Sequence, residues 1–313
     1  MLIDKKFENL FVNVTSRAAL SSFYLVGKKD KKNADKAAVD AMRNELNKIE
    51  MDAKIVIGEG ELDEAPMLYI GENVGTKNGP KLDIAVDPLE GTNFVANNLP
   101  GALSVIAVAN KTNLFGAPET YMSKISANCS EPDVIDLDYS VKKNIHNLAE
   151  FKNQNPENLT ACVLDRPRHK EIIDELKRLK VKIKLIPDGD VAGALMITDK
   201  KYLVDIFLGI GGGPEGVLAA AALDAYNCHF QGRLIFNSER EKERAKKMGI
   251  KDLKRKYELN EIISGDSIFC ATGITSGDLV SGIEIKNNKF TSETLITHKS
   301  SGLKKIIKTE QNI

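Results

Sequence analysis

The chain has 313 residues, with 44 Lys and Arg against 44 Asp and Glu, so its formal net charge is zero and no basic surface points to nucleic acid or to an anionic membrane. Its longest apolar runs, Ala102 to Ala109 and Val217 to Leu223, fall far short of the ~20 residues a spanning helix needs. Asp4, Glu8, Asn9 and Asn13 interrupt any signal-peptide core, so the expected setting is cytoplasmic, without membrane or nucleic-acid partners.

Phe7, Leu10, Phe11, Val14 and Ala18 recur at helical spacing, which predicts an opening amphipathic helix running toward Val26. Lys28 to Asn33 then reads as a solvated basic turn. Asp35 stands where an N-cap would precede the helical pattern of Val39, Met42, Leu46 and Ile49. A cap still leaves one carboxylate oxygen for a ligand. A strand over Ile55 to Ile57 ends in Gly58-Glu59-Gly60-Glu61-Leu62-Asp63-Glu64.

Leu82, Ile84 and Val86 alternate with Asp83 and Ala85 as in a strand with a buried face. Pro88 denies the ladder a donor, so the strand is expected to stop there and turn, setting Asp87 and Glu90 on the same side. Gly91 lets a backbone approach a ligand, and Thr92 adds a hydroxyl. Such a set suits a hard divalent cation; it equally describes a strand-ending turn whose Asp caps the next segment.

Ala102 to Ala109 reads as a buried strand, and Tyr121 as a core residue with a satisfied hydroxyl. The polar stretch Asn144 to Asn158 is the candidate connection between two lobes, about 1–150 and 151–313, of a single catalytic domain. A strand from Leu159 to Leu164 leads into Asp165-Arg166-Pro167-Arg168-His169, either a stiff anion clamp or the start of the amphipathic helix carrying Ile172, Ile173, Leu176 and Leu179. His169 reads as a surface or capping residue. The strand Val181 to Ile186 ends in Asp188-Gly189-Asp190. That from Leu203 to Leu208 ends in Gly209-Ile210-Gly211-Gly212-Gly213-Pro214-Glu215, which fits neither a dinucleotide fingerprint nor a phosphate loop. Glu215, in the first turn of an Ala-rich helix, reads as dipole compensation. Ser238 to Met248 is an exposed charged helix, Ser267 to Ala271 a strand, and Lys299 to Ile313 a basic, partly frayed tail. Cys129, Cys162, Cys228 and Cys270 are too far apart for a zinc ribbon or redox pair and read as buried small hydrophobes.

Four strand ends thus carry acidic, glycine-rich loops, and such loops could share one site beyond the strand ends. The alternation of strands and helices makes a layered α/β or α+β chain, and alone would suggest a doubly wound parallel sheet.

Asp87-Pro88-Leu89-Glu90-Gly91-Thr92 resembles the metal-binding signature of the lithium-sensitive sugar and inositol phosphatase superfamily, with Glu where most members have Asp. Together with Val56 to Glu61, Asp63 to Leu68, Ile186 to Val191 and Gly209 to Gly212, it resembles class II fructose-1,6-bisphosphatase of the GlpX type from about Thr15 to Thr294. The resemblance implies an α-β-α-β-α sandwich and hydrolysis of fructose 1,6-bisphosphate with two or more Mg2+ or Mn2+ ions. Asp35 and Glu59 would hold one ion, and Asp87, Glu90, Glu215 and the Leu89 carbonyl a second. Thr92 would act on the attacking water with help from Glu59 or Asp63. Glu90, Gly91, Thr92, Tyr121, Arg166, Pro167, Arg168, Asp188, Gly189, Asp190 and Gly212 would contact substrate, and Lys31 is a candidate active-site cation. A homo-oligomer, dimer or tetramer, is expected. Sedoheptulose 1,7-bisphosphate is an alternative substrate, and a non-catalytic sugar-phosphate sensor a further reading.

Overall fold

In the computed structural model residues 2–60, 67–129 and 131–313 are described. The chain forms two compact units, Met1–Phe115 with Ile263–Ile313, and Gly116–Ile262. The first takes α1 (Lys6–Phe23), α2 (Lys31–Leu46), β1 (Asp52–Ile57), β2 (Asn73–Val74), β3 (Lys81–Glu90), α3 (Thr92–Asn97) and β4 (Leu103–Asn110). The second follows with β5 (Tyr121–Ala127), α4 (Val141–Phe151), β6 (Thr160–Leu164), α5 (Lys170–Arg178), β7 (Lys182–Ile186), α6 (Asp190–Leu195), β8 (Ile206–Gly212), α7 (Gly213–Asp224), β9 (His229–Ile235), α8 (Glu239–Lys247), β10 (Lys256–Glu258) and α9 (Leu259–Ile262). The chain then returns to the first unit with β11 (Ser267–Gly273), β12 (Glu284–Lys286), β13 (Lys289–His298) and β14 (Leu303–Asn312).

In the first unit the apolar stripes of α1 and α2, including Phe7, Phe11, Ala18, Met42 and Leu46, bury against one face of a sheet through Ile84, Val86, Ile106, Val108, Ile268 and Ile296. The strand order is β12-β13-β11-β4-β3-β1-β2, with β14 on β13. Only β1 and β3 run parallel among the described pairs.

The second unit has the order β10-β9-β5-β8-β6-β7, with β6 parallel to both β7 and β8. Ile145 of α4 and Leu176 of α5 pack on Ile125, Val163, Ile206 and Leu208. Residues of opposite parity point the other way, toward α6 and α7: a Cβ on Gly193 would stand 2.8 Å from Phe207, and one on Gly216 2.5 Å from Met122 Sδ. The layered α/β class is therefore as expected, whereas both sheets are mixed rather than all parallel.

Two expectations are corrected. Asn144 to Asn158 does not connect lobes, because α4 occupies its first half and lies inside the second unit. Asn144 is buried there, its side chain accepting from the Asp136 N–H and donating to the Asp136 carbonyl at 2.7 and 2.9 Å. The unit boundaries fall instead at 115/116 and 262/263. Nor is the C-terminal tail frayed: β14 pairs with β13 from Leu303 to Asn312. All four cysteines are buried, and burial pushes the Cys129 thiol up to about 11. Among the described residues no helix is long and apolar enough to cross a membrane.

Candidate active site

In the first unit the acidic residues gather where the parallel strands β1 and β3 end. Gly58 is required by packing, since a Cβ there would lie 1.9 Å from the Leu68 carbonyl oxygen. The Glu59 N–H donates to that same carbonyl at 3.0 Å. Glu72, 5% exposed, holds the returning loop by accepting from the Leu68 N–H and from Arg43 Nε, the latter at 2.5 Å. It thereby ties the Glu59 loop to α2, the helix that carries Asp35.

Asp35 is not the cap of α2. Asp30 is, accepting from the Asn33 N–H at 3.1 Å, and Asp35 lies a turn inside the helix. It is half-buried, and burial alone pushes its carboxyl above the usual carboxylate range, with no answering donor among the described residues. Lys31, the first residue of α2, is exposed.

β3 does not end at Pro88. It continues to Glu90 through a bulge: Asp87 pairs with Val105 and Glu90 with Leu103, leaving Pro88 and Leu89 opposite the single residue Ser104. The missing proline donor falls where the ladder is already interrupted. Glu90 is buried at 6% exposure, and Gly91 follows at φ 85°, where a Cβ would meet Phe94 at 2.7 Å. Thr92 begins α3 and is half-buried. Asp63, with Glu61 and Glu64, lies outside the described residues.

In the second unit the predicted residues meet at one edge of the sheet, the C-terminal ends of β6, β7 and β8, with Tyr121 paired across to Gly212. Arg168 donates from Nε to the Ile210 carbonyl at 2.8 Å, and its guanidinium stacks 5.1 Å from the Tyr121 ring centroid. Tyr121 is thus no core residue; it is 43% exposed. Arg166 Nη2 stands 3.5 Å from Asp188 Oδ1, and Pro167 sets the short turn between the two arginines. Gly189, at φ 92°, precedes Asp190, the first residue of α6.

His169 is not a surface residue; it stands at the N-cap position of α5, but its side chain makes no capping hydrogen bond. It is fully buried, Nδ1 donating to the Leu164 carbonyl at 2.7 Å and Nε2 accepting from the Ile210 N–H at 2.8 Å. Burial lowers its affinity for a proton, so a neutral ring locks the arginine turn to β8. Glu215 is half-buried at the start of α7, where desolvation pushes its carboxyl up and the nearby Lys124 ammonium pulls it down.

Among the described residues no three His, Cys, Asp or Glu side chains converge into a ready-made metal cage. The donor chemistry nevertheless fits a hard divalent cation: Asp35 is desolvated without a partner cation among the described residues, Glu90 is buried, and every candidate ligand is an oxygen.

The family described as bacterial fructose-1,6-bisphosphatase, glpX-encoded, matches residues 5–311. The chain belongs to this family. The GlpX-type chain is 43% identical over 300 residues to fructose-1,6-bisphosphatase 1 class 2 of Escherichia coli (strain K12), covering 91% of this chain and 89% of that one. It is 42% identical over 310 residues to the class 2 enzyme of Haemophilus influenzae, covering 95% and 93%. A relative in Prochlorococcus marinus (strain MIT 9301), named D-fructose 1,6-bisphosphatase class 2/sedoheptulose 1,7-bisphosphatase, is 41% identical over 299 residues, 91% of this chain and 90% of that one.

Sequence reasoning missed Glu72 and the burial of His169. Glu72 carries no motif, and the His169 pairing partners are 5 and 41 residues away.

Proposed function

We propose that this GlpX-family chain hydrolyses the 1-phosphate of fructose 1,6-bisphosphate to fructose 6-phosphate and phosphate, in the cytoplasm and in the direction of gluconeogenesis. The observation that carries this reading is the gathering of Tyr121, Arg166, Arg168, Asp188, Asp190 and Gly212 at one sheet edge, in a chain whose relatives carry that enzyme name. Arg166 and Arg168 offer planar forks to a phosphate, and Asp188 and Asp190 offer acceptors to sugar hydroxyls. Glu90, Gly91 and Thr92 would contact the 1-phosphate and sugar.

Asp35 and Glu59 would hold one Mg2+ or Mn2+, and Asp87, the Leu89 carbonyl and Glu90 another, with Glu215 assigned to the same chemistry. When bound, such ions neutralise phosphate charge and stabilise the leaving oxygen. Thr92 orients the attacking water through its hydroxyl, which is too weak a base to take the proton alone, so Glu59 or Asp63 accepts it. Product analysis by 31P NMR tests the regiochemistry: fructose 6-phosphate supports the proposal, and fructose 1-phosphate overturns it.

The dual name of the Prochlorococcus relative favours a second reading, with sedoheptulose 1,7-bisphosphate also accepted. A homo-oligomer remains part of the proposal, tested by sedimentation.

A further inference from the structure

The second unit buries a lysine that neither the sequence motifs nor the proposed roles use. Lys124 is the fourth residue of β5, its side chain 0% exposed. Its in-register neighbours are Gly209 on β8 and Gly232 on β9, and Gly216 of α7 lies over its stem, where a Cβ would come within 3.2 Å of Lys124 Cδ. Gly216 thus leaves room for the long aliphatic stem, while the Cβ positions of Gly209 and Gly232 face His169 and Met122 instead.

The stem delivers the ammonium to the candidate site. Nζ is ion-paired to Asp190 Oδ2 and donates to the Gly212 carbonyl at 2.9 Å. Asp190 is itself 6% exposed, and the backbone around it is glycine because nothing else fits: a Cβ on Gly211 would lie 1.8 Å from the Asp190 carboxylate. A buried carboxylate and a buried ammonium each cost desolvation energy, and a simple scaffold would use apolar side chains here.

We propose that Lys124 is a positioning residue for sugar recognition: it clamps Asp190 and the Gly212 carbonyl into one fixed arrangement, leaving the remaining Asp190 oxygen as an acceptor for a sugar hydroxyl. This rests on the fructose-1,6-bisphosphatase reading. Lys124 touches no substrate; it acts through Asp190.

The test compares Lys124→Met, Asp190→Asn and the double variant Lys124→Met/Asp190→Leu, the last replacing the buried pair by apolar groups of similar volume so that folding is retained even where the single lysine variant fails. Circular dichroism and thermal melts report folding. Loss of a charge-assisted contact predicts a KM for fructose 1,6-bisphosphate raised about ten- to a hundredfold, with a smaller fall in kcat. Calorimetric binding of fructose 6-phosphate in EDTA, a readout independent of turnover, weakens by a similar factor. The double variant is no worse than Asp190→Asn, because both lesions remove one function. A folded Lys124→Met or double variant with wild-type KM and wild-type product binding overturns the inference. Wild-type protein inactive on fructose 1,6-bisphosphate would instead remove the reading on which it rests.

Discussion

Asp87 and Glu90 project from the same face of the first sheet because their partners on β4, Val105 and Leu103, share one parity. Three residues apart on a regular strand, they would face opposite ways. The bulge at Pro88 and Leu89 resets the alternation. Deleting Pro88 should therefore rotate Glu90 away and cost about a hundredfold or more in turnover, as Asp87→Asn also should. Phosphate release by folded variants checks this; a deletion variant with wild-type turnover would dismiss the bulge as a functional device.

Thr92→Ala should lower kcat by about 10²-fold or more while KM changes little, since the hydroxyl acts on water rather than on the sugar. Single-turnover kinetics separate the two effects. Unchanged kcat would take Thr92 out of the mechanism.

His169 links pH to stability with a defined sign. Burial holds the folded ring below its ordinary value of 6.5, so the unfolded chain takes the proton first. The His169 contribution is complete above that value and is lost as pH falls below it. Melting temperature should drop between pH 7.5 and 5.5. His169→Gln should flatten that dependence while costing roughly 2–4 °C at neutral pH. Because Ile210 also receives Arg168, the same variant should raise KM for the sugar bisphosphate.

The position of the candidate site residues in the fold was largely legible because chemistry and punctuation coincide: acidic stretches containing Gly or Pro, following an apolar run, stand at the ends of β1, β3, β7 and β8. What was hidden depends on distant partners. Pro88 reads as a stop, yet β4 supplies a register in which a bulge absorbs it. Asp30 and Asp35 are both plausible caps until the helix start is seen. The tail reads as basic and partly frayed, but β14 pairs with β13 and alternates half-buried and exposed residues from Ile307 to Asn312, and Arg17 donates to the Asn312 carbonyl at 2.9 Å.

Removing β14 by truncation after Gly302 should expose the long edge of β13, including the fully buried Phe290, and lower the melting temperature by roughly 5 °C or more with a tendency to aggregate. Light scattering during a thermal ramp would show it. A truncated chain that melts and scatters like the full one would mean that β14 adds nothing to the sheet.

The most direct measurement is phosphate release from fructose 1,6-bisphosphate with Mg2+ or Mn2+ and again with EDTA, beside sedoheptulose 1,7-bisphosphate and inositol 1-phosphate. Metal-dependent release from the fructose substrate, abolished by EDTA, is the predicted result. Release from inositol 1-phosphate alone, or from no substrate, would contradict the assignment.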